Sequence, residues 1–250
     1  MPNTGVCFVR PSDGCTFAPS SWINLARAIG ESSLAADVGA VYSSAPVLKS
    51  DAPKAERARL LEKLGVPPID PTRRPDAFAE IRRIACRLHR TGHRSIGFVP
   101  ADDRVGAIAL ALQVALAMDQ LHGALCSVLD LNAVRPQFAH HPEFASAPAD
   151  AFGFRTVWVA DRVTLSTPAL PSKRLVFAEL EQVARRAIQR YDRVFIDMTG
   201  LVLWGEHLPA YQLVDGIAVI ANTNKSLERD ILRCVDDIPP EQFLGVVLVG

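Results

Sequence analysis

Apolar residues fall into two kinds of run along this chain. The first is short and nearly unbroken: Ser95-Ile96-Gly97-Phe98-Val99, Leu125 to Leu129, Thr156 to Ala160, Arg193 to Ile196, Gly216 to Ala221 and Leu244 to Val249. Strands without polar alternation are buried on both faces, the mark of a mainly parallel sheet. The second kind recurs at helical spacing: Phe78, Ile81, Ile84, Ala85 and Leu88 in one stretch, Leu180, Val183, Ala184, Ala187 and Ile188 in another. Ala107 to Gln120 is apolar almost throughout, as a helix covered by a sheet should be. Alternation of the two kinds predicts an α/β domain of three layers, helices flanking a mostly parallel sheet, over residues 76–250.

Residues 1–75 have a different texture. Pro2, Pro11, Pro19, Pro46, Pro53, Pro67, Pro68, Pro71 and Pro75 break this region into short elements. Two helices fit inside it. Ser20 or Ser21 can cap a turn carrying Trp22, Ile23, Leu25, Ala26 and Ile29, with Gly30 as its stop. Asp51 can cap Lys54 to Leu64, with Leu60, Leu61 and Leu64 on one face and Gly65 ending it. A Pro-rich N-terminal arm or docking segment ahead of the main domain is one expectation, a poorly ordered leader the other.

Composition narrows the function classes. Of 250 residues 49% are apolar, which supports a substantial core, and 27 basic against 27 acidic residues leave no net charge to favour nucleic acid or an anionic surface. Five cysteines (7, 15, 86, 126 and 234) lack C-x-x-C spacing, so reduced thiols are expected rather than a disulfide frame or zinc site. No apolar run approaches the roughly 18 residues of a membrane span. Met1-Pro2-Asn3-Thr4 lacks the basic start of a secretion signal, so a cytoplasmic protein with no direct membrane span is expected.

The richest chemical signal lies between Ser95 and Pro136. Strand, loop, apolar helix and a second strand ending at Asp130 have the layout of a phosphate-binding ATPase site. Such a site needs glycines so that backbone N–H groups can wrap phosphates, a Lys to neutralise them, and a Ser or Thr hydroxyl for magnesium. Here the loop reads Pro100-Ala101-Asp102-Asp103-Arg104-Val105-Gly106 and the helix opens Ala107-Ile108-Ala109. It holds one Gly and neither Lys nor hydroxyl. A dinucleotide site is disfavoured because no G-x-G-x-x-G is present and Pro100 opens the loop.

After Asp76 the second strand reads Leu129-Asp130-Leu131-Asn132-Ala133-Val134-Arg135-Pro136, and a later one Tyr191-Asp192-Arg193-Val194-Phe195-Ile196-Asp197-Met198-Thr199-Gly200, in the place of a Walker B strand. Leu213-Val214-Asp215-Gly216 and Phe243-Leu244-Gly245-Val246-Val247-Leu248 complete the series. In that order the pieces resemble the cytoplasmic tyrosine-kinase domain of bacterial capsule and exopolysaccharide export systems, within the MinD/ParA-type P-loop ATPases. The resemblance implies a P-loop NTPase-like fold, ATP with magnesium as the family's cofactor, and a membrane chain-length or co-polymerase protein as partner. It also implies recruitment to the inner face of the inner membrane and homo-oligomerisation through an E-x-x-R-x-x-R helix. Asp76, Ala79 and Arg82 stand at that motif, so its central Arg is missing.

Matching along the helix puts Ala107 where the family has Lys and Ile108 where it has the magnesium-binding hydroxyl, with Arg104 and Gly106 at the loop glycines. Asp102 and Asp103 add negative charge beside the expected triphosphate, or else cap the following helix. The family's Tyr-rich tail has no counterpart before Gly250. No bound cofactor is therefore expected, and a pseudo-enzyme that works by protein contact. An atypical ATPase or kinase using Arg104, Asp130 and Asp197 is the alternative.

Single residues stay open at this stage. Asp130 either organises metal and water or caps a loop, with Asn132 in place of a second acid; Asp197 is a magnesium carboxylate or a structural remnant. Arg135-Pro136 is a partner contact or a surface turn. The basic run Arg82, Arg83, Arg87, His89, Arg90, His93 and Arg94 is a solvated face or a contact for an acidic partner or membrane phosphates. His140, His141 and Glu143 lack metal-ligand spacing, and Trp204 is an interface anchor or core residue.

Overall fold

A computed structural model describes residues 6–9, 54–66, 68–102, 106–132, 135–169, 177–203 and 207–250. Within them one sheet carries eight strands: β1 (Val6–Val9), β2 (Ser95–Pro100), β3 (Cys126–Asp130), β4 (Phe154–Ala160), β5 (Val163–Pro168), β6 (Arg193–Asp197), β7 (Gly216–Asn222) and β8 (Phe243–Val249). Their spatial order is β1-β8-β7-β2-β6-β3-β5-β4. Strands β8, β7, β2, β6, β3 and β5 run parallel, and the rims are antiparallel, β1 on β8 and β4 on β5. The strands expected from apolar runs are all present.

Two strands escaped the pattern. β5 reads Val-Thr-Leu-Ser-Thr-Pro, and its hydroxyls look polar in sequence, yet all six residues are buried. β1 closes the other rim from a region read as an arm. The helix over Trp22 to Ile29 and the cap at Asp51 lie outside the described residues.

Helices α1 (Lys54–Lys63), α2 (Pro75–Thr91) and α3 (Ala107–His122) cover one face of the sheet. α5 (Phe177–Arg190), α6 (Thr199–Leu203), α7 (His207–Tyr211) and α8 (Glu228–Asp236) cover the other; the short α4 (Pro142–Ser146) sits beside β4. Alternation along each strand divides the core. Ile96, Phe98, Phe195, Ala218 and Ile220 face α2 and α3, whereas Val99, Val194, Ile196, Ile217 and Val219 face α5 to α8. Leu61, Leu64 and Val66 are buried in the same core as α2 and α3. α3 buries ten of its residues, which is why its sequence shows no polar face.

At the centre Phe98 and Phe195 stack with ring centroids 6.1 Å apart, both fully buried on adjacent strands. Replacing Phe195 with Ala is expected to remove about 3–5 kcal/mol of stability through lost burial and a residual cavity. Urea unfolding followed by circular dichroism measures it, and a loss below about 1 kcal/mol would contradict this placement of the core.

Candidate functional site

The site builds on the carboxyl ends of three neighbouring parallel strands, the edge at which open α/β sheets bind ligands. β2 ends at Pro100; β6 and β3 end in Asp197 and Asp130, which are register partners. Adjacent strands lie about 4.8 Å apart, so two carboxylates stand side by side on one face of the sheet. Asp130 is 1% and Asp197 5% exposed.

Each acid is held by donors. Asp130 accepts from the Asn132 N–H at 3.0 Å through one oxygen, and from the Gln137 N–H at 3.0 Å and the Thr167 hydroxyl at 2.9 Å through the other. It therefore ties the loop after β3 to β5, which is the loop-cap alternative. Asp197 accepts from the Thr199 N–H at 2.9 Å and from the Thr199 hydroxyl, which opens α6. The backbone N–H of Ile108, in the first turn of α3, lies near enough to favour the Asp197 charge.

Burial opposes this charge. It pushes the Asp130 carboxyl up to about 7, with the neighbouring Asp197 charge adding to the rise and the three donors opposing it. Burial likewise raises Asp197 against the bonds from Thr199 and the nearby Ile108 N–H. The two titrate as a pair.

Ala107 and Ile108 are wholly buried. Their side chains are hydrocarbon, so neither can neutralise a phosphate nor ligate a metal; only backbone N–H groups remain to this turn. The N-cap of α3 is Gly106, with no side-chain cap.

This corrects one expectation. Asp102 does not cap α3: its carboxylate accepts from the Ser226 hydroxyl, while Ser226 Oγ in turn accepts the Asn222 N–H at 2.8 Å. Because Ala101 N–H also bonds to Ile220 O at 2.8 Å, the start of the loop is fastened to β7 and its following turn rather than to the helix. Asp103 and Arg104 lie outside the described residues.

Asn132 accepts the Arg135 N–H at 3.1 Å through its side-chain oxygen, which makes the loop before Pro136 a local turn. Gly200 packs against it so closely that an added Cβ would lie 2.7 Å from Asn132 Cα. Thr167 and Ser226 were not singled out from sequence. Thr199 and Gly200 closed the Walker B match but carried no role of their own there.

Other singled-out residues lie elsewhere. Within the basic run, Arg83 bonds Glu80 at 2.7 Å, Arg82 covers the Phe78 ring at 5.3 Å, and Arg94 donates to the Ile188 and Tyr191 carbonyls. His89 stacks on His122 with centroids 3.8 Å apart. The run is thus divided among several local partners. His141 Nδ1 accepts the Glu143 N–H, a helix cap, and no cluster of three or more metal-ligating side chains occurs among the described residues. Trp204 lies outside the described residues. No described helix is long and apolar enough to cross a membrane.

No protein-family model and no curated protein matches the sequence. Solved structures do. The chimerical protein CapA2B2 aligns with a TM-score of 0.59 at 14% identity, over 77% of this chain and 97% of that one. The BceF tyrosine kinase domain aligns at 0.54 and 15% identity, over 78% and 88%. The kinase domain of the Escherichia coli tyrosine kinase Etk aligns at 0.55 and 15% identity, over 70% and 76%. The chain has the fold of these structures, BceF and Etk being tyrosine kinase domains, as the sequence pattern implied.

Two outcomes follow from the acid pair and its surroundings. A folded-state value near 7 for Asp130, against 3.8 for the free side chain, means that the folded protein binds the extra proton between those pH values. Its contribution is full below about pH 4 and falls by up to about 4 kcal/mol as pH rises through 7. Asp130→Asn should lower stability at every pH, because an amide NH2 meets N–H donors, yet flatten the decline between about pH 4 and 7. Urea midpoints across that range test it, and an unchanged slope would contradict it. Gly200→Ala should cost about 1–3 kcal/mol, since its Cβ meets backbone that cannot rotate away; a neutral thermal shift would contradict the close approach.

Proposed function

We propose that this chain is a non-catalytic relative of the polysaccharide-export tyrosine kinases, working as a protein-interaction module. Residues 76–250, with β1 and α1 packed on them, form the ATPase-like body, and the remainder of the chain before residue 76 is a docking segment. Its partner is the membrane chain-length or co-polymerase component of a capsule or exopolysaccharide system, to which a cytoplasmic protein is recruited at the inner face of the inner membrane. A homo-oligomer is compatible with this role.

One observation carries the reading. Ala107 and Ile108 are buried hydrocarbon at the two helix positions where an ATPase of this fold needs an ammonium group and a hydroxyl. Three features support it further. Asp102 is engaged with Ser226, Asp130 accepts three protein donors, and Asp197 is bonded to Thr199. Carboxylates engaged this way serve the protein's own loops. The fold shared with the BceF and Etk tyrosine kinase domains supports the kinase relationship, and both the system and the export role come from the motif resemblance in residues 76–250.

A second reading keeps nucleotide chemistry, because Asp130 and Asp197 survive in register at the right strand ends. The two readings part on turnover. Purified protein with ATP and magnesium should release no phosphate above the buffer rate, and capture from native membranes should recover a chain-length protein. Turnover that collapses in Asp197→Asn would overturn the non-catalytic reading.

A further inference from the structure

One register row crosses the carboxyl rim of the sheet from the acid pair to its open edge. Asp197 on β6 pairs with Asp130 on β3, the Thr167 hydroxyl on β5 donates to Asp130, and Thr167 pairs with Arg155 on β4. Register partners share a face, so Arg155 stands on the same side of the sheet as both acids.

Arg155 is half-buried, and its Nε is sheltered from solvent without any hydrogen-bond partner. Two other arginines have a sheltered, unpartnered Nε, but their outer nitrogens are occupied. Arg193 Nη1 donates to Asp192 O at 2.9 Å, and Arg162 Nη2 lies 3.9 Å from the Asp192 carboxylate. Among the described residues neither a carboxylate nor a carbonyl pairs with Arg155, and of its three guanidinium nitrogens only Nε is both buried and unpartnered. The nearest acid in the row is no substitute: both Asp130 oxygens already accept protein donors, and Thr167 stands between them and the guanidinium.

A guanidinium whose outer nitrogens lack a protein partner presents a planar fork for two oxygens of one anion. The position also fits, since ligands of open α/β sheets sit outside the carboxyl ends of the strands. We propose that Arg155 anchors an oxyanion site on the β4 side of this rim, for a phosphate or carboxylate group taken end-on by its two Nη nitrogens. The site does not rest on the function proposed above: anion capture at Arg155 and nucleotide capture at residues 100–108 can each be present without the other.

The test uses the full chain with sodium phosphate, sodium acetate and, at matched ionic strength, sodium chloride as the non-oxyanion control. Thermal midpoints and calorimetric titration are read for the native protein, Arg155→Gln and Arg155→Lys. Phosphate or acetate should raise the native midpoint beyond chloride, and Arg155→Gln should weaken the calorimetric affinity about tenfold or more while unfolding normally without anion. Stabilisation by phosphate alone assigns a phosphate ligand, and stabilisation by both assigns the wider carboxylate class. If Arg155→Gln does not fold, Arg155→Lys carries the comparison, with weakened but measurable binding expected. No shift beyond chloride in the native protein, or a shift undiminished in the variants, would overturn the proposal.

Discussion

Two carboxylates buried at the ends of neighbouring strands are the constraint around which this crevice is arranged. Removing one ion from water is unfavourable, and placing a second beside it adds repulsion. The protein answers with donors: Asn132 and Gln137 N–H groups and the Thr167 hydroxyl for Asp130, and Thr199 for Asp197. Those bonds bring the loop after β3, strand β5 and helix α6 to one place. The arrangement of the site thus follows from satisfying its acids, with no bound metal required to explain the donor set.

The same bonds bear on function. A carboxylate that caps a loop has fewer lone pairs for a magnesium ion, and a helix that begins with buried Ala107 and Ile108 offers only its backbone. The fold shared with bacterial tyrosine-kinase domains is a scaffold on which such chemistry can be present or lost. What this chain retains is the geometry of the strand ends. What it lacks in residues 107–108 is side-chain chemistry.

Much of the fold could be read from apolar runs because central parallel strands have no polar face to obscure them. β2, β3, β6, β7 and β8 were visible for that reason, and α5 was legible from its one-sided apolar spacing. β5 was hidden because Thr164, Ser166 and Thr167 are buried hydroxyls, which local pattern cannot distinguish from a loop. Asp130 and Asp197 were found because the motif resemblance places an acid at the end of each of those strands. Asp102 was misread since its partner, Ser226, is distant in sequence and only β7 packing joins them. Arg155 was invisible for the same reason: its interest comes from a register row and from unpartnered nitrogens, neither of which one strand's sequence contains.

The proposed non-catalytic role requires that residues 100–108, which include neither Lys nor a hydroxyl side chain, bind no magnesium-bound nucleotide. Isothermal titration of the purified chain with ATP and magnesium addresses it directly. The account expects no saturable heat; binding with a dissociation constant of about 1 μM, equivalent to about 8 kcal/mol, would contradict it.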